Sequence, residues 1–292
     1  MEAPYFSLKS ISKLLFGLII LFLFITCNEK NKSTKTASIF IVYDSTKYNS
    51  SPDAPLVMEL TGDIFPASVK SIWGTIHNRT PFEGIFGDAV TIQHLEEDIR
   101  WKNIEYDSGD TVISVNLIAH ILLPESTADF YTYFYQQFYN FEPGKYRIVK
   151  DVDLILTSEF HIPENQPDTI LFPTQVPTPF FKIRLTPFTR KDEAAELTIT
   201  NNTSGMVAPY NHFYVEKKNE TDYWVRHYFP GFTDYNSRAN PLPPGDSVTF
   251  SIPLFSQNDF YPGQYRICKR AKLTIARKFT LSSDKEVAER YI

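Results

Sequence analysis

The sequence predicts an all-β protein built as two tandem β-sandwiches, and three observations carry this. The segment Phe141-Glu-Pro-Gly-Lys-Tyr-Arg-Ile-Val-Lys150 recurs almost unchanged as Phe260-Tyr-Pro-Gly-Gln-Tyr-Arg-Ile-Cys-Lys269, 119 residues downstream. A period near the size of one small domain signals a duplicated module. Apolar residues alternate with polar ones at period two, and no long stretch carries the 3.6-residue helical pattern.

The strands of the second copy are the clearest. Phe181, Ile183 and Leu185 alternate with Lys182 and Arg184. Ala195, Leu197 and Ile199 alternate with Glu196, Thr198 and Thr200, while Val248, Phe250, Ile252 and Leu254 alternate with Thr249 and Ser251. Such one-sided patterns mark half-buried strands of antiparallel sheets. Turn clusters at 201–205, 218–222 and 243–246 separate them. The copies are expected at 54–162 and 180–283. Residues 163–179 between them carry Pro163, Pro167, Pro173, Pro177 and Pro179 and read as a semi-rigid linker. The tail, 284–292, reads as mildly helical over Lys285–Tyr291. Each copy is expected to close its own core and to melt separately.

The N-terminus has a different character. Lys9 and Lys13 precede an uncharged run, Leu14–Ile25, which is too short to span a bilayer as a helix but has the length of a signal-peptide core. Cys27 follows at once, then the polar stretch Asn28-Glu-Lys-Asn-Lys-Ser-Thr-Lys35. This order resembles a bacterial lipoprotein signal. The resemblance implies that residues 1–26 are removed, that Cys27 receives fatty acyl groups such as palmitate, and that 27–53 tether the fold to a membrane. Thr26 stands where that family usually carries Gly, Ala or Ser. An ordinary secretory signal followed by a chance cysteine is the alternative reading. Ile39–Tyr43 interrupts the tether and is expected to add one strand.

Composition sets further bounds. The chain has 292 residues, 42% of them hydrophobic, with 24 Phe and 17 Tyr, enough for two packed cores. Its formal charge of −5 argues against a general nucleic-acid binder, which needs a basic face to displace counterions. Cys268 is the one cysteine besides Cys27, so the folded copies share no disulfide framework.

The repeated Pro-Gly-x-Tyr element gives the sandwich its type. Gly144 and Gly263 permit a tight turn after Pro143 and Pro262, and Tyr146 and Tyr265 then suit a tyrosine corner, a ring whose hydroxyl returns to nearby backbone. Phe141 and Phe260 plug the core below. Trp101 and Trp224, upstream of the corner, suit the strand-C region. The whole repeat resembles bacterial Ig-like domain families whose members end in a Pro-Gly-x-Tyr-Arg strand, implying Ig-like or fibronectin type III-like sandwiches. That architecture hosts many unrelated roles.

No catalytic motif emerges. The chain lacks a Gly-x-Ser-x-Gly elbow, a His-Glu-x-x-His pair and a phosphate-cradling loop. Its six histidines, at 77, 94, 120, 161, 212 and 227, are scattered singly, so neither metal nor cofactor is expected. Asp107-Ser-Gly-Asp110 reads as a hairpin turn. Arg147 and Arg266, like Lys150 and Lys269, recur in both copies, which favours structural roles. Cys268 replaces Val149 and reads as a small apolar strand residue.

The copies differ most in the aromatic run Phe130–Phe141. Carrying the 119-residue spacing back onto it places Tyr131, Tyr133 and Tyr135 inward and Phe130 and Phe134 outward. Trp73, opposite Glu196 of the second copy, also faces outward. The expected binding face is therefore Trp73, Phe130 and Phe134. Exposed apolar patches usually mean contact. Ile39–Tyr43 or the linker as a cover, a protein partner, and a sugar-stacking platform remain alternatives. Together these features lead to the expectation of a non-catalytic, lipid-anchored envelope protein, on the outer membrane, acting as an adaptor or interaction module. A carbohydrate-binding lipoprotein that assists glycan capture is the runner-up.

Overall fold

The computed structural model describes residues 51, 53–97, 100–104, 118–134, 141–164, 170–189, 192–227, 239–253, 261–283 and 285–287. Cys27, Ile39–Tyr43, Asp107–Asp110, Tyr135 and Phe260 lie outside them. The first copy contributes β1 (Leu56–Leu60), β2 (Ile64–Pro66), β3 (Ser71–Asn78), β4 (Gly84–Gly87), β5 (Thr91–Glu96), β6 (Arg100–Asn103), β7 (Ala119–Leu122), β8 (Thr127–Tyr133) and β9 (Gly144–Ile162). The second half adds β10 (Thr174–Gln175), β11 (Phe181–Leu185), β12 (Ala194–Asn201), β13 (Val207–Lys218), β14 (Trp224–His227), β15 (Ser247–Pro253) and β16 (Gly263–Ser282).

Two small antiparallel sheets, β1-β3-β8 and β11-β12-β15, correspond to strands A, B and E of an Ig-like sandwich. Both pack on one ten-stranded sheet ordered β14-β13-β16-β9-β4-β7, with β2, β5, β6 and β10 attached. Alternation explains the layers. On β12, Ala195, Leu197 and Ile199 are buried while Ala194 and Glu196 are exposed.

The long strands β9 and β16 organise the molecule. They pair antiparallel along their whole length, from Gly263 opposite Ile162 to Leu281 opposite Gly144. The first half of β9 is strand F of the first sandwich, beside β4 and β5. Its second half runs on without a hairpin and becomes the last strand of the second sandwich. β16 does the converse: its first half lies beside β13, and its end pairs parallel with β2. Phe279 accordingly packs 5.7 Å from Tyr146, 6.0 Å from Phe134 and 5.9 Å from Phe65, all in the first sandwich. Phe160 packs 5.6 Å from Tyr265 and 5.1 Å from Phe188 in the second. The expectation that each copy closes its own core is thus corrected. Each core is completed by a strand from the other copy.

Both corners have the same geometry. Tyr146 donates to the Glu142 carbonyl at 2.7 Å and Tyr265 to the Tyr261 carbonyl at 2.8 Å, with both rings buried. Gly263 has φ +144°, a region L side chains rarely adopt. A Cβ at Gly144 would lie 2.8 Å from His94 Nε2. Trp101 and Trp224 lie on β6 and β14, the hairpin partners of strand C rather than strand C itself.

The outward placement of Phe130 and Phe134 is also corrected. Both are buried, at 5% and 3% exposure, whereas Tyr131 and Tyr133 are exposed at 43% and 54%. Trp73 is 54% exposed, so its outward orientation stands. Trp73 faces Tyr131 across the β3–β8 pair, and Glu196 faces Ser251 across β12–β15. Tyr131 therefore matches Ser251, a spacing of 120 rather than 119. The copies differ by one residue between this strand and the corner, and a one-residue slip in register reverses every side chain. Gly74 accommodates the buried ring, since a Cβ there would sit 2.7 Å from Phe130 carbons.

Candidate binding face

The outward aromatic cluster is Trp73 on β3 with Tyr131 and Tyr133 on β8. Trp73 and Tyr131 have ring centroids 5.2 Å apart at 42°, and Tyr131 and Tyr133 are 5.1 Å apart at 75°. Cross-strand pairing sets this spacing, because directly opposed side chains on one sheet face are close neighbours. Beyond the rings the face turns polar. Thr75 donates to Asp129 at 2.8 Å, and His77 lies 3.3 Å from Glu59. The same face of the second sandwich has Glu196 and Ser251 opposed, then hydroxyl pairs Thr198–Thr249 at 2.9 Å and Thr200–Ser247 at 2.8 Å.

The other repeated residues form frameworks. Lys150 is buried and donates to the carbonyls of Gly87, the last residue of β4 (2.5 Å), and of Ala89 in the loop that follows (3.3 Å). Lys269, also buried, donates to the Asn211 carbonyl at 2.7 Å, where the β13–β16 register shifts. Each lysine therefore satisfies backbone groups that a strand irregularity leaves unpaired. Burial depresses the Lys150 ammonium to about 8, opposed by Asp88 and Asp151. Arg147 stacks 4.5 Å from the Trp101 ring and donates to Gln93. Arg266 stacks 4.6 Å from Trp224 and pairs with Glu216 at 2.6 Å.

Sequence reasoning missed a second repeated motif, Asn78-x-Thr80 and Asn201-x-Thr203. Asn78 donates to the Phe82 and Leu123 carbonyls at 2.7 and 3.0 Å and accepts from the Thr80 hydroxyl at 2.7 Å. Asn201 donates to Gly205 and Leu242 at 2.8 and 2.9 Å and accepts from Thr203 at 2.7 Å. The signal was the shared Asn-x-Thr, at the spacing that also relates the two tryptophans.

Among the described residues no group of three metal-ligating side chains converges. The Cys268 thiol is buried and held protonated, its proton affinity raised first by desolvation and then by Glu216. His120 lies 2.6 Å from Asp88 and stacks on Phe86. A concavity of about 790 Å³ at the β13–β14 hairpin gathers Lys217, Lys218, Arg226 and His227.

Comparison with known proteins places this fold. The family model described as a bacterial Ig-like domain matches residues 53–161 and again 180–286, and the chain belongs to that family. No curated protein matches it. Among solved structures it is similar to the YadV chaperone, at 12% identity and a TM-score of 0.20, covering 78% of this chain and 100% of that one. It is also similar to the CsuC–CsuE chaperone–tip adhesion subunit pre-assembly complex of Acinetobacter baumannii. There the identity is 9% and the TM-score 0.24, with 76% of this chain and 98% of that one covered. At such scores neither likeness bears on what this chain does.

Proposed function

We propose that this protein is a non-catalytic interaction module, held to the bacterial cell envelope by acyl groups on Cys27, that docks a protein partner on the Trp73–Tyr131–Tyr133 face. The observation that carries the reading is the asymmetry of the copies. One fold occurs twice, yet among the described residues only the first copy sets three exposed rings on its outer sheet. Aromatic residues are enriched where proteins meet, because they bury large area at little entropic cost. Membership of a family of Ig-like domains supports a binding role. The Lys9–Lys13, Leu14–Ile25, Cys27 order supports the anchor, and the Asn28-Glu29-Lys30-Asn31 start, with no Asp after the cysteine, supports an outer-membrane address. The tilt between the rings, 42° and 75°, favours a protein over a sugar, which stacks best on a coplanar platform.

The test combines two arms. Mature protein carrying Trp73→Glu and Tyr133→Glu should lose envelope partners that the parent retains after crosslinking, with unchanged stability. Equal capture by parent and variant removes the face from the proposal, and binding by the parent on a glycan array replaces protein with carbohydrate. For the anchor, Cys27→Ala should abolish labelling by a fatty-acid probe; persistent labelling rules the assignment out.

A further inference from the structure

We propose that charges at the midpoint of the β9–β16 ladder select which strands exchange, matching the two halves of this chain to each other and disfavouring self-pairing of either half. The ladder is symmetric about one position. Asp153 faces Lys272, and these residues are 119 apart, so equivalent positions of the two repeats meet there. A β9 strand laid on a second β9 in the same register would bury its apolar face equally well. Shape and hydrophobicity therefore do not distinguish the exchange seen here from pairing between like halves of two copies.

Charge distinguishes them at the midpoint, whereas toward the ends the mixed ladder opposes one pair of opposite sign, Glu159–Arg266, and one of like sign, Arg147–Lys278. On the outer face near the midpoint β9 carries Asp151 and Asp153, and β16 carries Arg270 and Lys272. Lys272 reaches Asp151 at 3.2 Å, and Thr274 donates to the same carboxylate at 2.6 Å. Asp153 accepts from Tyr210 at 3.1 Å and interacts with Arg270 and Lys272. Self-pairing of β9 would set Asp153 against Asp153, and self-pairing of β16 would set Lys272 against Lys272. Like charges directly opposed across strands are destabilising, while opposite charges stabilise. A midpoint that is acidic on one strand and basic on the other thus favours the mixed pair and penalises either like pair, which keeps the exchangeable strands of a duplicated module from pairing with their own kind.

The experiment uses the mature chain with a protease site inserted after Glu164, an exposed turn residue. Once folded and cut, the halves should elute together as a 1:1 complex, separate only in denaturant, and return to 1:1 on refolding. Two independently eluting halves overturn the exchange, and like-with-like dimers after refolding overturn the selection. Asp151→Lys with Asp153→Lys should weaken association of the cut halves about tenfold, the size expected when two favourable cross-strand contacts become repulsive. Adding Arg270→Asp and Lys272→Asp to the same chain should restore it. Association unaffected by the first pair, or not recovered by all four, overturns selection by charge while leaving the exchange intact. The fourfold variant decides the matter even if the twofold one does not fold.

Discussion

The two sandwiches share almost everything inside and little on one outer face. Both have a corner tyrosine bonded to the carbonyl four residues upstream, an asparagine hub below the second strand, and a buried lysine. Outside, one carries Trp73, Tyr131 and Tyr133 where the other carries Glu196, Ser251 and Pro253. The second copy shows that this architecture forms without those rings. They are an addition to the fold, whereas the corner and the hub belong to it.

The strongest way to break the comparison is to remove a shared interior residue. Phe279→Ala and Phe160→Ala should each cost about 3–5 kcal/mol, as large aromatic deletions do. The loss crosses over: Phe279 lies in the second repeat but holds the first core, and Phe160 the reverse. Single-tryptophan variants reporting from Trp101 and Trp224 should show one coincident unfolding transition, and two separate transitions would contradict the composite cores.

A pH experiment probes the buried lysine. An unfolded lysine keeps its proton to about 10.5, and folded Lys150 releases it near 8. Between those values the unfolded state binds more protons, so this group adds stability as pH rises from 8 toward 10, by at most about 1.4 kcal/mol per pH unit. Denaturant titrations at the ends of that window should show the rise in the parent and its loss in Lys150→Met. An identical pH profile in the two proteins would refute it.

Smaller effects sharpen the contrast. Tyr146→Phe and Tyr265→Phe remove equivalent hydrogen bonds and should each cost about 1 kcal/mol, as shifts in the denaturation midpoint will show. Unequal costs would mean the corners are not equivalent. The smallest change in stability belongs to the distinctive face. Trp73→Ser or Tyr133→Ser should stay within about 0.5 kcal/mol, as for other surface substitutions. A loss of several kcal/mol would make these rings part of the fold after all.

Much of this was legible in residue order. The Pro-Gly-x-Tyr-Arg repeat located both corners, and period-two alternation located β11, β12 and β15. Trp73 faced outward as its match to Glu196 required. Phe130 and Phe134 did not, because the spacing measured at the corner was carried across a loop one residue different in length. Alternation gives each strand two faces but does not say which is inner, and in a run as uniformly aromatic as 130–141 the residue types do not break the tie. The asparagine hubs were visible as Asn-x-Thr pairs but unremarkable as turn residues, since their partners at Leu123 and Leu242 are some 40 residues distant.

Sequence by itself determined the duplication, the all-β class, the corners and the absence of a recognisable catalytic motif, because these are written in local spacing and side-chain type. Tertiary structure alone decided that β9 runs straight through its midpoint and that the repeats exchange their last strands. Nothing local distinguishes a strand that folds back on its own copy from one that crosses to its neighbour. Both bury Phe160 and Phe279 in the same kind of core, and only the pairing partner, more than a hundred residues away, differs.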